Sequence, residues 1–210
     1  TAVPAVRDTV PFRALRRVVW SVVGAGGSTA ETERRQVLAL ADHLPNLSGV
    51  MMDDFFRTRS TDPALSALTP DELRQLRAQI AAGPRPLDLW VVLYDYQLDL
   101  PIREHLSLCD VVSFWTWKAQ DQDGLEANFA RAEALAPQAR KVLGCYLWDY
   151  GARQPMPVAA MARQLEIGRR WLRQGRIAGM IFLASCICDL DLETVEWTRD
   201  WIARNGSEPP

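Results

Sequence analysis

Two carboxylates stand side by side at Asp53-Asp54, where the apolar run Ser48–Asp53 gives way to Phe55-Phe56. Adjacent carboxylates repel, so one of the pair is expected to keep its proton to higher pH, as a general acid working near neutrality must. Strict alternation along a strand would aim the two at opposite faces, but at a strand end leading into a loop that alternation relaxes. The structural alternative is that one Asp caps the following loop or pairs with Arg57 or Arg59.

Three later segments share a second pattern, aromatic rings beside a charge: Tyr94-Asp95-Tyr96, Trp115-Thr116-Trp117-Lys118 and Trp148-Asp149-Tyr150. Flat apolar rings pack against the C–H faces of a sugar, and carboxylates accept its hydroxyl hydrogen bonds, so this mixture suits a carbohydrate or another small polar substrate. Asp95 and Asp149 could each orient a hydroxyl, act as a second carboxylate, or make a buried link to an arginine. Lys118 is one of only two lysines, with Lys141, among 24 basic residues. A desolvated amine there could form a Schiff base, which makes a lyase a further reading; the alternative is a lysine paired with Asp95, Asp121 or Asp149.

All of these residues fall where short apolar runs end. The runs Val18–Val23, Ser48–Asp53, Leu89–Tyr94, Val111–Trp115, Val142–Trp148 and Gly179–Ala184 read as strands buried on both faces, and each is followed by a segment of helical period. Ser28 or Thr29 can cap a helix running to about Leu44. Thr69-Pro70-Asp71-Glu72 is a strong helix start, with Thr as N-cap and Pro at the first position, for a helix ending near Gly83. Pro101 opens a short helix, Gly124–Leu135 forms another, Pro157 begins one through Arg173, and Leu192–Arg204 makes the last. Six βα units predict an α/β fold. The leading architecture is a (β/α)₈ TIM-like barrel with six of its units in view, residues 1–210 forming one domain and the carboxyl-terminal six units of the barrel. The alternative is an open doubly wound parallel sheet. Gly24-Ala25-Gly26-Gly27 follows the first strand but lacks the spacing of a dinucleotide-binding loop.

Composition narrows the partners. The chain has 210 residues, 48% hydrophobic and 24% charged, and a net charge of -2. Nothing in that balance attracts a phosphate backbone or an anionic membrane, so neither nucleic acid nor membrane is an expected partner. Two histidines, His43 and His105, cannot build a multi-histidine metal centre, and no cofactor or metal is expected. Cys109, Cys145, Cys186 and Cys188 read as reduced core thiols, in keeping with a reducing, cytoplasmic setting, and the absence of an initiator Met leaves export with a removed signal open. Trp20, Trp90, Trp171, Trp197 and Trp201 read as core.

With an apolar strand running into Asp53-Asp54 and later strands ending in Tyr, Trp-x-Trp and Trp-Asp-Tyr, the chain resembles (β/α)₈-barrel glycoside hydrolases. Within these it is most similar to retaining N-acetylglucosaminidases that carry neighbouring acidic residues at the end of the fourth strand. The resemblance implies that Asp53 orients and polarises the substrate acetamido group, whose oxygen is the nucleophile, and that Asp54 is the general acid/base. It implies further that Tyr94, Trp115 and Trp148 line the sugar subsite, with Asp149 binding hydroxyls. A non-catalytic carbohydrate-binding or structural domain of a larger protein is the alternative from a different class.

Overall fold

The computed structural model describes residues 6–57, 64–183 and 187–206. Six strands make the main sheet: β1 (Val18–Val23), β2 (Leu47–Met52), β3 (Asp88–Tyr94), β4 (Val111–Trp115), β5 (Arg140–Tyr146) and β8 (Met180–Leu183). A two-residue ribbon, β6 (Trp148–Asp149) with β7 (Gln154–Pro155), pairs antiparallel after β5. The helices are α1 (Glu31–Ala39), α2 (Pro70–Ala81), α3 (Arg103–Ser107), α4 (Leu125–Leu135), α5 (Val158–Arg173) and α6 (Glu193–Asn205).

The six strands are parallel and hydrogen-bonded in the order β1-β2-β3-β4-β5-β8, each beside its successor among the βα units. A doubly wound sheet reverses its strand order at a switch point. No reversal occurs here, so the order is that of a (β/α)₈ barrel with six strands, and the doubly wound alternative is set aside. β1 and β8 are the edges. The core strands are buried almost throughout, whereas β8 is half-buried and ends on exposed Leu183, as an edge strand does. The expected end of the last strand at Ala184, together with Arg59, Cys186 and residues 207–210, lies outside the described residues.

Contacts divide the chain into two compact units. The first runs up to Leu93 and adds Leu100–Val112 and Leu135–Ala139. Val23, Val37, Leu44, Val50, Leu73 and Leu89 fill its core. The second holds Tyr94–Asp99, Ser113–Ala134 and the chain from Arg140 on. Phe114, Phe129, Leu143, Leu165 and Trp171 fill that one.

Local chemistry accounts for the elements. Thr69 caps α2: its Oγ1 accepts from the Glu72 backbone N–H, and the Glu72 carboxylate accepts from the Thr69 N–H at 2.7 Å, a reciprocal capping box with Pro70 behind it. α1 departs from expectation. Its N-cap is Ala30, because Thr29 Oγ1 instead donates to the Val22 carbonyl at 2.8 Å and Ser28 pairs with Gly24. Trp171 and Trp201 are core, as expected, while Trp20, Trp90 and Trp197 are only half-buried.

Candidate functional site

In the first unit the chain leaves β2 at Asp53, whose N–H still donates to Val23 of β1 at 2.8 Å. Asp54 then takes φ of 43°, in the left-handed region that an Asp tolerates better than most residues. Two hydrogen bonds hold this turn. The Asp54 N–H donates to Asp53 Oδ1 at 2.9 Å and the Gly26 N–H donates to Asp54 Oδ2 at 2.8 Å, while Gly27 approaches so closely that a Cβ there would sit 3.1 Å from the Asp54 carbonyl oxygen. Gly26 and Gly27, at φ of 70° and 71°, supply the backbone for that approach. The glycine loop therefore spends its Gly26 N–H on a carboxylate of its own chain rather than offering it to a phosphate. Half-buried Asp53 carries the raised pKa expected of the pair, first because burial disfavours its charge and second because Asp54 repels it; the Asp54 N–H opposes the rise.

In the second unit the carboxyl ends of β3, β4 and β5 bring together Tyr94, Tyr96, Trp117, Tyr146 and Tyr150. Tyr94 and Tyr96 stack at 5.2 Å, Trp117 stacks on Tyr150 at 5.3 Å, and Tyr94 and Tyr146 each present an edge to Trp117 at 5.4 and 6.0 Å. Tyr146 Oη donates to Tyr94 Oη at 3.4 Å. Tyr94 and Tyr146 are buried, Trp117 and Tyr150 half-buried, and Tyr96 is 49% exposed, so the outer rings reach solvent on a buried footing. Asp95 lies among them. Its Oδ1 accepts from the Tyr96 N–H at 3.0 Å and more weakly from the Trp117 N–H at 3.4 Å. Burial, aided by the Asp121 charge, nonetheless raises its pKa against those two donors.

The other candidates have structural employment. Asp149 is buried, and its two oxygens accept from the Ala119 and Ala152 N–H groups at 3.2 and 3.0 Å, tying together the loops after β4 and β6. Trp148 is half-buried in the β6–β7 ribbon. Trp115 is buried under the ring cluster, 4.6 Å from Tyr146, with Nε1 donating to Ser113 Oγ at 3.1 Å. Lys118 is exposed, and its stem lies over Gly151, so the desolvation that a Schiff-base amine needs is not supplied. Among the described residues no group of three or more His, Cys, Asp or Glu side chains is arranged to hold a metal ion. Cys109 and Cys145 are free and buried, and burial pushes both thiols up, Cys109 to about 12.

Two features escaped the sequence. Tyr146 is the buried foundation of the ring cluster, and the signal for it was its place at the end of a strand two residues beyond Gly144. His105 is the second. Its Nε2 lies 2.9 Å from Ser66 Oγ, and its ring packs edge-on to Phe55 and Phe56, with Nδ1 buried and unpaired.

No protein-family model matches this sequence, and no curated protein matches it. Among solved structures the chain is similar to the PgaB (BpsB) glycoside hydrolase domain from Bordetella bronchiseptica, with 14% identity and a TM-score of 0.47, over 88% of this chain and 69% of that one.

Proposed function

We propose that this is a glycoside-hydrolase-like protein that binds a carbohydrate on the ring cluster of its second unit and carries acid/base carboxylates at Asp53 and Asp54 in its first. The observation that carries the reading is the ring cluster itself. Tyr96, Trp117 and Tyr150 reach solvent around Asp95, offering ring faces to C–H groups beside a carboxyl group that can both accept and, when protonated, donate a hydroxyl hydrogen bond. Buried Trp115, Tyr94 and Tyr146 hold those rings in place. In the acidic pair, burial raises the pKa of Asp53, which suits it to the proton-holding role, while Asp54 is oriented by Gly26. That exchanges the roles the family resemblance implies.

A second reading, a non-catalytic sugar-binding surface, draws on the same Gly26 contact, since a carboxylate that fastens a loop need do no chemistry. The test is hydrolysis of a panel of aryl glycosides by wild type, Asp53→Asn and Asp54→Asn, alongside sugar titrations of wild type and Trp117→Ala. We expect Trp117→Ala to weaken sugar binding about three- to tenfold, the worth of one ring contact. Asp53→Asn should lower hydrolysis while leaving binding intact. Background hydrolysis by all three proteins with retained binding would select the non-catalytic reading, and equal binding by Trp117→Ala would end the carbohydrate reading.

A further inference from the structure

At the other end of the strands, in the first unit, a cavity of about 580 Å³ is lined by Arg13, Arg16, His43, Pro45 and Asn46. It sits where β1 and β2 begin, whereas Asp53 and Asp54 lie where β2 ends. Its charge is one-sided. Arg13, Arg16 and the adjacent Arg17 make no side-chain hydrogen bond or ion pair among the described residues, and neither does His43. Elsewhere, Arg74, Arg77, Arg163 and Arg176 each engage a carboxylate.

The backbone that displays these cations is fixed from two sides. Asn46 Nδ2 donates to the Phe12 and Leu15 carbonyls at 2.8 and 2.6 Å, bracketing Arg13, and the Val18 N–H donates to the Asn46 carbonyl at 2.8 Å. Arg85 donates to the Leu44 and Leu47 carbonyls and so anchors the loop that carries His43, Pro45 and Asn46. Phe12 also packs edge-on to Trp20 at 5.4 Å. Asn46 Oδ1 is buried with no donor, one acceptor left for a guanidinium or a ligand hydroxyl to satisfy. Unpaired guanidinium groups on a backbone pinned in this way suit an oxyanion, because the planar fork meets phosphate oxygens two at a time and loses less freedom per hydrogen bond than a lysine does.

We infer that this cavity is an anion site for a small phosphomonoester, with Arg13 and Arg16 on the phosphate and His43 at its edge. The volume falls within the ordinary range for small-molecule sites, roughly 300–1,000 Å³, and exceeds what a lone phosphate fills. The site is independent of the carbohydrate reading.

Calorimetric titration of the full chain with glycerol 3-phosphate, inorganic phosphate and uncharged glycerol tests it, repeated with Arg13→Ala and Arg16→Ala. Both arginines are exposed, so the variants should melt with wild type, which certifies their folding. We expect saturable binding of glycerol 3-phosphate, none of glycerol, and a loss of about tenfold or more with each variant, the effect of removing one charge-assisted contact. Absence of a response to both phosphate probes, or affinity unchanged in both variants, would overturn the assignment.

Discussion

Replacing Gly144 with Ala should unseat the ring cluster from below. A Cβ at this position on β5 would lie 1.9, 2.2 and 2.3 Å from three carbons of the Trp115 ring, against an unstrained carbon separation of about 3.5 Å or more. The indole must therefore move by well over an ångström, and little gives way around it. It is 5% exposed, rests 4.6 Å from Tyr146 and donates to Ser113 Oγ at 3.1 Å. Overpacking costs about 1–3 kcal/mol, the buried hydrogen bond about 1 kcal/mol, and the ring pair about 0.5–1.5 kcal/mol. The sum, about 2.5–5.5 kcal/mol, is a large part of the total stability of a domain. For a chain of this size it corresponds to a fall of about 5–22 °C in Tm. Thermal and urea unfolding of Gly144→Ala measure it. The specific cause is isolated by a double-mutant cycle: in a Trp115→Leu background the same Gly144→Ala change should cost under about 1 kcal/mol, because the ring it strikes is gone. A loss of less than about 1 kcal/mol in the single variant, or equal losses in both backgrounds, would refute the contact between Gly144 and Trp115. Sugar binding offers an independent reading, since Trp115 supports Tyr146 and Tyr146 packs perpendicular to Trp117.

Two further outcomes follow from the first unit. Burial lowers the pKa of His105 below its ordinary 6.5, against the opposing charge of Glu104, so the unfolded chain binds more protons as pH falls past that value. Stability should thus decline from about pH 6.5 downward until the folded-state pKa is passed, and His105→Gln should show a shallower decline in its urea midpoint over that window; parallel curves would contradict this. Thr69→Ala removes the cap of α2 and should cost about 0.5–2 kcal/mol in urea unfolding, with Thr69→Ser restoring most of it; an unchanged midpoint in Thr69→Ala would show that the capping box adds nothing.

The legibility of this chain varied with the range of the interaction concerned. α2 was readable to within two residues because Thr69-Pro70-Asp71-Glu72 contains its whole start signal in four consecutive positions. β1 and β4 coincide with the expected Val18–Val23 and Val111–Trp115, since each is a short, predominantly apolar run that only Ser21 or Ser113 interrupts. α1 was misjudged at its start because Thr29 had two partners available, the helix end and the Val22 carbonyl, and only the path of β1 decides between them. Of the ring cluster, the sequence displayed Tyr94, Tyr96, Trp117 and Tyr150 but hid the division of labour among them. Trp115 and Trp117 look alike in a strand-end motif, yet one is packed on a glycine and the other reaches solvent.

By itself, then, the sequence determined the class of fold, the order of its elements and the places where carboxylates and rings gather, because hydrophobic periodicity and caps are properties of neighbouring residues. Tertiary structure alone decided which groups do what. The pKa of Asp53 is raised because the fold buries it and sets the charge of Asp54, fastened by Gly26 from 28 positions away, beside it. Asp149 is taken up by backbone N–H groups of two loops, His105 finds Ser66, and a turn of arginines is pinned by Asn46. Each of those assignments depends on desolvation and on a hydrogen-bond partner remote in the chain, quantities that exist only once the backbone has folded.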